Sequence, residues 1–132
     1  MLPRNATGDY GEIEAAAWFR RQGYLVSVPW GLGPYDLVVD TGEDMWRVEV
    51  KTTTQNGWVK KGCKAWGWTI IVDASKGFDY LYCHTPDIHY FIPKSAIGDK
   101  RKGLMVPRYD DTREGTTSKW MQYALPYKPV TT

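Results

Sequence analysis

Pro34-Tyr35-Asp36-Leu37-Val38-Val39, then Thr41-Gly42-Glu43-Asp44, then Met45-Trp46-Arg47-Val48-Glu49-Val50-Lys51-Thr52-Thr53 form the most informative run of the chain. Both outer segments are dense in β-formers. The polar, glycine-bearing segment between them reads as the turn of a hairpin. Side chains of a strand point to opposite faces at every step. Trp46, Val48 and Val50 therefore face one way, and Arg47, Glu49 and Lys51 the other. A turn at residues 41–44 makes the two strands antiparallel and sets Asp36 opposite Glu49. Cross-strand partners lie roughly 5 Å apart, so two carboxylates converge with an ammonium one pleat away.

A cross-strand salt-bridge ladder on a solvated sheet shows the same pattern. Two features point elsewhere. Asp36 interrupts an otherwise β-forming run, and a third acid, Glu12, sits on the helix side expected to pack against the sheet. An excess of carboxylates around one lysine is poor salt-bridge design. It suits a hard divalent cation: magnesium commonly takes one or two carboxylates together with waters and a phosphate oxygen.

Outward from the hairpin, Thr7 and Gly8 precede a helical pattern from about Asp9 to Gln22, with Thr7 as its cap and Gly23 as its stop. At roughly 100° per residue, Glu12, Ile13, Ala16 and Phe19 share a side, while Glu14 and Trp18 point away. Leu25 to Val28 reads as a short strand. Gln55 to Gly67 is irregular, and Trp68 to Val72 is a strand. Tyr80 to His84 and His89 to Pro93 are strands joined by Thr85-Pro86-Asp87, and Lys94 to Ile97 is one helical turn. Gly98 to Gly115 reads as a polar loop. Thr117 or Ser118 opens a short helix ending near Leu125.

Pro34-Tyr35-Asp36, followed after a hairpin by Glu49-Val50-Lys51, resembles the PD-(D/E)XK nuclease signature. Gly8-Asp9-Tyr10-Gly11-Glu12, Gly23-Tyr24 and Val28-Pro29 extend the likeness across residues 8–53. Asp79-Tyr80, Tyr90 and Pro93 match a looser part of the pattern. The likeness is to the small stand-alone endonucleases of that superfamily, which include archaeal-type Holliday junction resolvases and group I intron-encoded members. Gly31-Leu32-Gly33 stands where the archaeal resolvases carry a serine. The resemblance implies an α/β restriction-endonuclease-like core, a central mixed β-sheet flanked by helices. Asp36 and Glu49 are then metal ligands, with the Val50 carbonyl beside them and Glu12 completing the site. Lys51 orients and helps deprotonate the attacking water, or offsets charge growing on the phosphate. The implied cofactor is Mg2+, with Mn2+ able to substitute. The implied activity is DNA phosphodiester hydrolysis.

A chain of 132 residues fits one domain, 1–132, with a core over about 8–97 and an extension over 98–132. Seven Trp and nine Tyr are read mainly as core, a few as base-stacking groups. The formal net charge of +2 does not by itself announce a nucleic-acid binder. Lys60, Lys61 and Lys64 form one basic group, and Lys100, Arg101 and Lys102 another. Both become phosphate contacts if the chain cuts DNA. Cys83, His84 and His89 lack zinc-motif spacing. Cys63 and Cys83 read as free thiols of a reducing cytoplasm. No secretory signal or membrane span is visible.

The expected partner is DNA, branched in the first reading because so small a chain has little surface for reading a long sequence. Site-specific homing or restriction-type cleavage is the alternative. Outside catalysis, the alternative is a DNA-binding module that keeps the fold without cutting. A homodimer supplies the two sites that duplex or junction cleavage needs.

Overall fold

The hairpin forms where its alternation places it. In the computed structural model, which describes residues 6–31, 33–57, 67–108 and 118–125, β1 (Leu25–Ser27), β2 (Leu37–Asp40) and β3 (Met45–Thr52) make a meander. Leu37 pairs with Val48, Val38 with Arg47, Val39 with Trp46 and Asp40 with Met45. Asp36 stands one residue before this ladder and donates its N–H to the Val48 carbonyl at 2.9 Å. The register thus continues to the expected apposition of Asp36 and Glu49.

β3 pairs in parallel with β6 (Tyr80–His84), Glu49 against Leu81 and Lys51 against Cys83. β6 turns into β7 (His89–Pro93), and the central mixed sheet runs β1-β2-β3-β6-β7. Asp79 locks the parallel pair. Its carboxylate takes the Arg47 N–H at 2.8 Å and the Arg47 guanidinium at 2.9 Å, and its own N–H returns to the Arg47 carbonyl at 2.7 Å.

Parallel neighbours need a long crossover. Here it carries β4 (Asn56–Gly57) and β5 (Gly67–Ile71). β5 does not join the central sheet. It pairs with β8 (Gly103–Pro107), inside the segment expected to be a polar loop. Leu104 and Val106 point inward from β8; the charged run just before them hid that alternation. One helical turn, α2 (Lys94–Ile97), follows β7 as expected. The C-terminal helix is a 3₁₀ helix, Ser118–Tyr123. Its Trp120 is buried with Leu104 and Val106, so these described residues after 97 are part of a core.

Two cores result, one on each face of the central sheet. On one face lies α1 (Ala6–Arg21), which begins before Thr7, so Thr7 is helical rather than a preceding cap. Its buried line is Gly11, Ala15 and Phe19, not the expected Ile13, which is 65% exposed. Small residues let the helix backbone approach the sheet, and Phe19 anchors it; this rotates the contact face by a fraction of a turn. Trp18, expected to point away, packs at 5.9 Å from Phe91. Trp46, Tyr80, Tyr82 and Phe91 floor this core, with Tyr80 stacked on Phe91 at 4.5 Å. The described aromatics are thus mostly core, as expected, although Trp30 lies fully in solvent. α1 ends as expected at Gly23, whose φ of 88° suits glycine. The Gly23 N–H reaches the Arg20 carbonyl and the Tyr24 N–H reaches that of Phe19, satisfying the last turn.

On the other face, β5, β8 and the 3₁₀ helix pack on β6 and β7 through Trp68, Ile70, Leu81, Cys83, Tyr90 and Ile92. The β1–β2 end of that same face is open: Leu25 is 62% and Met45 65% exposed. Among the described residues no helix is long and apolar enough to cross a membrane.

Gly11 is where α1 meets the end of β3. A Cβ there would lie 1.9 Å from the Thr52 hydroxyl oxygen and 3.2 Å from Thr52 Cβ. We expect Gly11→Ala to lower stability by about 1–3 kcal/mol through overpacking, read as a reduced urea midpoint. The pairing Gly11→Ala/Thr52→Ala, which removes the hydroxyl that lies nearest the added Cβ, should recover part of the loss. An unchanged midpoint for Gly11→Ala would contradict this contact.

Candidate active site

Asp36, Glu49 and Lys51 come together because the hairpin register and the strand alternation agree. Residues 48 and 50 of β3 face α1, so Glu49 and Lys51 face the opposite side, as does Asp36. Asp36 is fixed by its backbone bond to Val48 and by its side chain, which accepts the Val50 N–H at 2.8 Å through Oδ2. The N–H and C=O of one strand residue point the same way. The Val50 carbonyl is therefore turned toward the same edge, beyond the first paired residue of β2.

Glu49 sits at the margin of the covered face. Its β6 partner Leu81 is fully buried, and Glu49 itself is only 7% exposed. Burial disfavours the carboxylate, and the Asp36 carboxyl adds to the effect by hydrogen bonding and by repulsion. Lys51 and Lys76 pull the other way, but Glu49 is still pushed up to about 7. The Lys51 ammonium is 3.8 Å from Glu49 Oε1. Glu49 thus keeps its proton toward neutral pH beside the Asp36 side chain, with an ammonium alongside. Oxygen donors that repel one another until a positive charge arrives suit a divalent cation.

A match to the family model of the PD-(D/E)XK endonuclease spans residues 3–125. The chain belongs to the PD-(D/E)XK endonuclease family. It is therefore a nuclease by family, with a restriction-endonuclease-like fold. A solved structure of a bacterial homing endonuclease, I-Ssp6803I, matches with a TM-score of 0.73 at 20% identity. The match covers 94% of this chain and 88% of that one. That likeness is one of fold. No curated protein matches the chain in sequence.

In this endonuclease, Glu12 is half-buried on the flank of the buried line of α1, and α1 packs on the face of β3 opposite Glu49. Among the described residues no three His, Cys, Asp or Glu side chains gather closely enough to share an ion. Glu12 is thus not brought into the Asp36–Glu49 pair. Its route to that pair runs around the end of β3, where the neighbouring Gly11 touches Thr52. The close contacts join Asp36 and Lys51 to the Glu49–Val50 step of β3, while α1, which carries Glu12, packs on the other face of the sheet.

Of the basic groups, Lys60, Lys61 and Lys64 lie outside the described residues. Lys102 pairs with Asp73 at 2.8 Å. Arg101 donates to the Ile97 carbonyl and lies over Trp120. Lys100 is exposed. Cys83 points into the core shared with β5, while His84 and His89 lie on the α1 face with rings 4.3 Å apart. Those three side chains do not converge. Burial pushes the His84 and His89 imidazoles down, His89 to about 4, and it raises the Cys83 thiol. Thr53, at the end of β3, donates its hydroxyl to the Thr69 carbonyl at 2.7 Å and serves the fold. The sequence reading missed Lys76, which acts on Glu49 across the crossover. No local pattern marks it.

Glu49 keeps its proton in the folded state well above the pH at which the unfolded chain gives it up. Between about 4.5 and about 7 the folded state binds more protons through this group, so its contribution to stability falls as pH rises. The buried histidines act in the opposite sense over part of that range, being neutral when folded and charged when unfolded below their ordinary value. The readout is therefore a difference. Wild-type stability minus that of Glu49→Gln should decline from pH 4.5 to 7 in EDTA, followed by thermal melts. Parallel pH profiles would show that Glu49 is not held protonated.

Proposed function

We propose that this protein is a divalent-metal-dependent endonuclease that hydrolyses DNA phosphodiester bonds, with Mg2+ as cofactor and Mn2+ able to replace it. The observation that carries this reading is the buried pair Asp36–Glu49, drawn together by two strands with Lys51 beside it. Asp36, Glu49 and the Val50 carbonyl are the ligands in this reading. A bound divalent cation would lower the pKa of a water and offset charge on the phosphate. Asp36 is held ready by the Val50 N–H, so little reorganisation is needed on loading. Glu49 releases its proton on loading. Lys51, about one-third exposed at its side chain, reaches solvent from beside Glu49. There it orients the attacking water and stabilises charge growing on the phosphoryl oxygen. Glu12 supports the site from the end of β3, through water.

Of the substrate readings, we place site-specific cleavage of duplex DNA ahead of branched DNA. The fold likeness to a homing endonuclease runs through most of both chains and supports this order. Cleaving both strands calls for two sites, hence a symmetric pair of chains. The non-cutting alternative leaves the costly burial of Glu49 beside Asp36 without a purpose.

Asp36→Asn and Lys51→Ala should each slow cleavage by roughly 10²–10⁴-fold while the circular dichroism spectrum stays that of the wild type. Glu12→Gln should slow it less. The assay offers a randomised duplex library, synthetic four-way junctions and single strands, each with Mg2+ or with EDTA. Cutting of a small subset of duplexes fits the preferred reading; cutting of junctions alone replaces it with the branched one. No cutting of any of them, or equal cutting by Asp36→Asn, refutes the assignment of this site.

A further inference from the structure

We propose that Lys76, on the turn from Asp73 to Lys76, contacts a DNA phosphate beside the scissile one and so positions the substrate strand over Glu49. This rests on the endonuclease reading above and adds a residue to its binding surface.

The turn is built with care. The Lys76 N–H returns to the Asp73 carbonyl at 3.2 Å. Asp73 Oδ1 accepts from the Ser75 N–H, the Ser75 hydroxyl and the Lys102 ammonium, the last at 2.8 Å. The Ala74 N–H reaches the Arg101 carbonyl at 3.0 Å, and the Lys94 ammonium donates to the Lys76 carbonyl. Ala74 and Phe78, on either side of Lys76, are buried core residues. The backbone of Lys76 is thus fixed from both sides while its side chain stays exposed.

Its place relative to the site follows from Gly77 and Arg47. A Cβ on Gly77 would lie 3.6 Å from the Arg47 guanidinium. Arg47 occupies the same face of β3 as Glu49, one pleat before it, and Lys51 lies one pleat after. The turn that carries Lys76 therefore lies on the Arg47 side of Glu49, and Lys51 supplies a cation on the far side.

The charges around it sharpen the assignment. Among the described residues the ion pairs are Arg47–Asp79, Lys51–Glu49 and Lys102–Asp73. Lys76 is in none of them. Arg47 and Lys102 are matched by acids and hold the fold; Lys76 brings an exposed positive charge to the edge of an acidic site. A polyanion approaching two carboxylates needs such a charge to offset the repulsion, and phosphate contacts set strand position.

The test uses the full chain and a fluorescein-labelled duplex, bound with calcium replacing magnesium, and then cleaved with magnesium. Lys76→Ala should weaken binding and raise KM by about five- to tenfold. The slope of log affinity against log salt should drop by about 1, with kcat within about twofold. Lys76→Arg should restore affinity and slope. Melting curves of both variants should overlay the wild type. Wild-type KM and salt slope in Lys76→Ala would overturn the proposal, as would a loss that Lys76→Arg does not rescue. If the wild type itself neither binds nor cuts the duplex, the endonuclease reading falls and this inference with it. If only the variant result fails, that reading stands.

Discussion

A slip of one residue between β2 and β3 would turn Glu49 and Lys51 under α1 and leave Val48 and Val50 in solvent, because strand side chains alternate faces. The pairing of Leu37 with Val48 excludes this slip. It buries Leu37, Val39, Val48 and Val50 under Ala15 and Phe19, and the same choice puts Asp36 and Glu49 side by side on the other face. The apolar half of the hairpin thus specifies where the carboxylates meet. The price is the repulsion of two acids near a buried surface, which Glu49 relieves by holding a proton.

The second face adds the dielectric half of the site. β5, β8 and Trp120 cover β6 and β7 and stop at β3. Leu81 lies under this cover, while Met45 and Leu25 lie beyond it. Glu49 stands at the boundary, dry enough to be perturbed and near enough to solvent to meet a ligand. A cover extending further would shut the acids away from a phosphate. A smaller one would leave them as two ordinary hydrated carboxylates.

Charge is divided along the same boundary. Arg47 and Asp79 tie β3 to β6 through backbone and side chain together, and Lys102 ties β8's approach to the Asp73 turn. These pairs are partly exposed, and each alone contributes little to stability. Their effect is geometric: they set the register of the parallel pair and the position of the crossover turn. Lys51 is the cation set against the acids.

Much of this was written in local sequence. The hairpin, its register, the Glu49–Lys51 row and the strands at Tyr80–His84 and His89–Pro93 follow from alternation and turn residues alone, because strand periodicity is a property of neighbours along the chain. The helix face was misjudged, since Gly11 and Ala15 pack by being small, and smallness reads weakly beside the bulk of Ile13. β8 was missed because pairing with β5 some 35 residues away, not local propensity, makes it a strand. Which side of the sheet α1 occupies, hence the distance between Glu12 and the acid pair, was decided only in three dimensions. So were the edge of the covering layer and the approach of Gly77 to Arg47. Each depends on contacts between segments far apart in the chain, and no spacing within one segment records them.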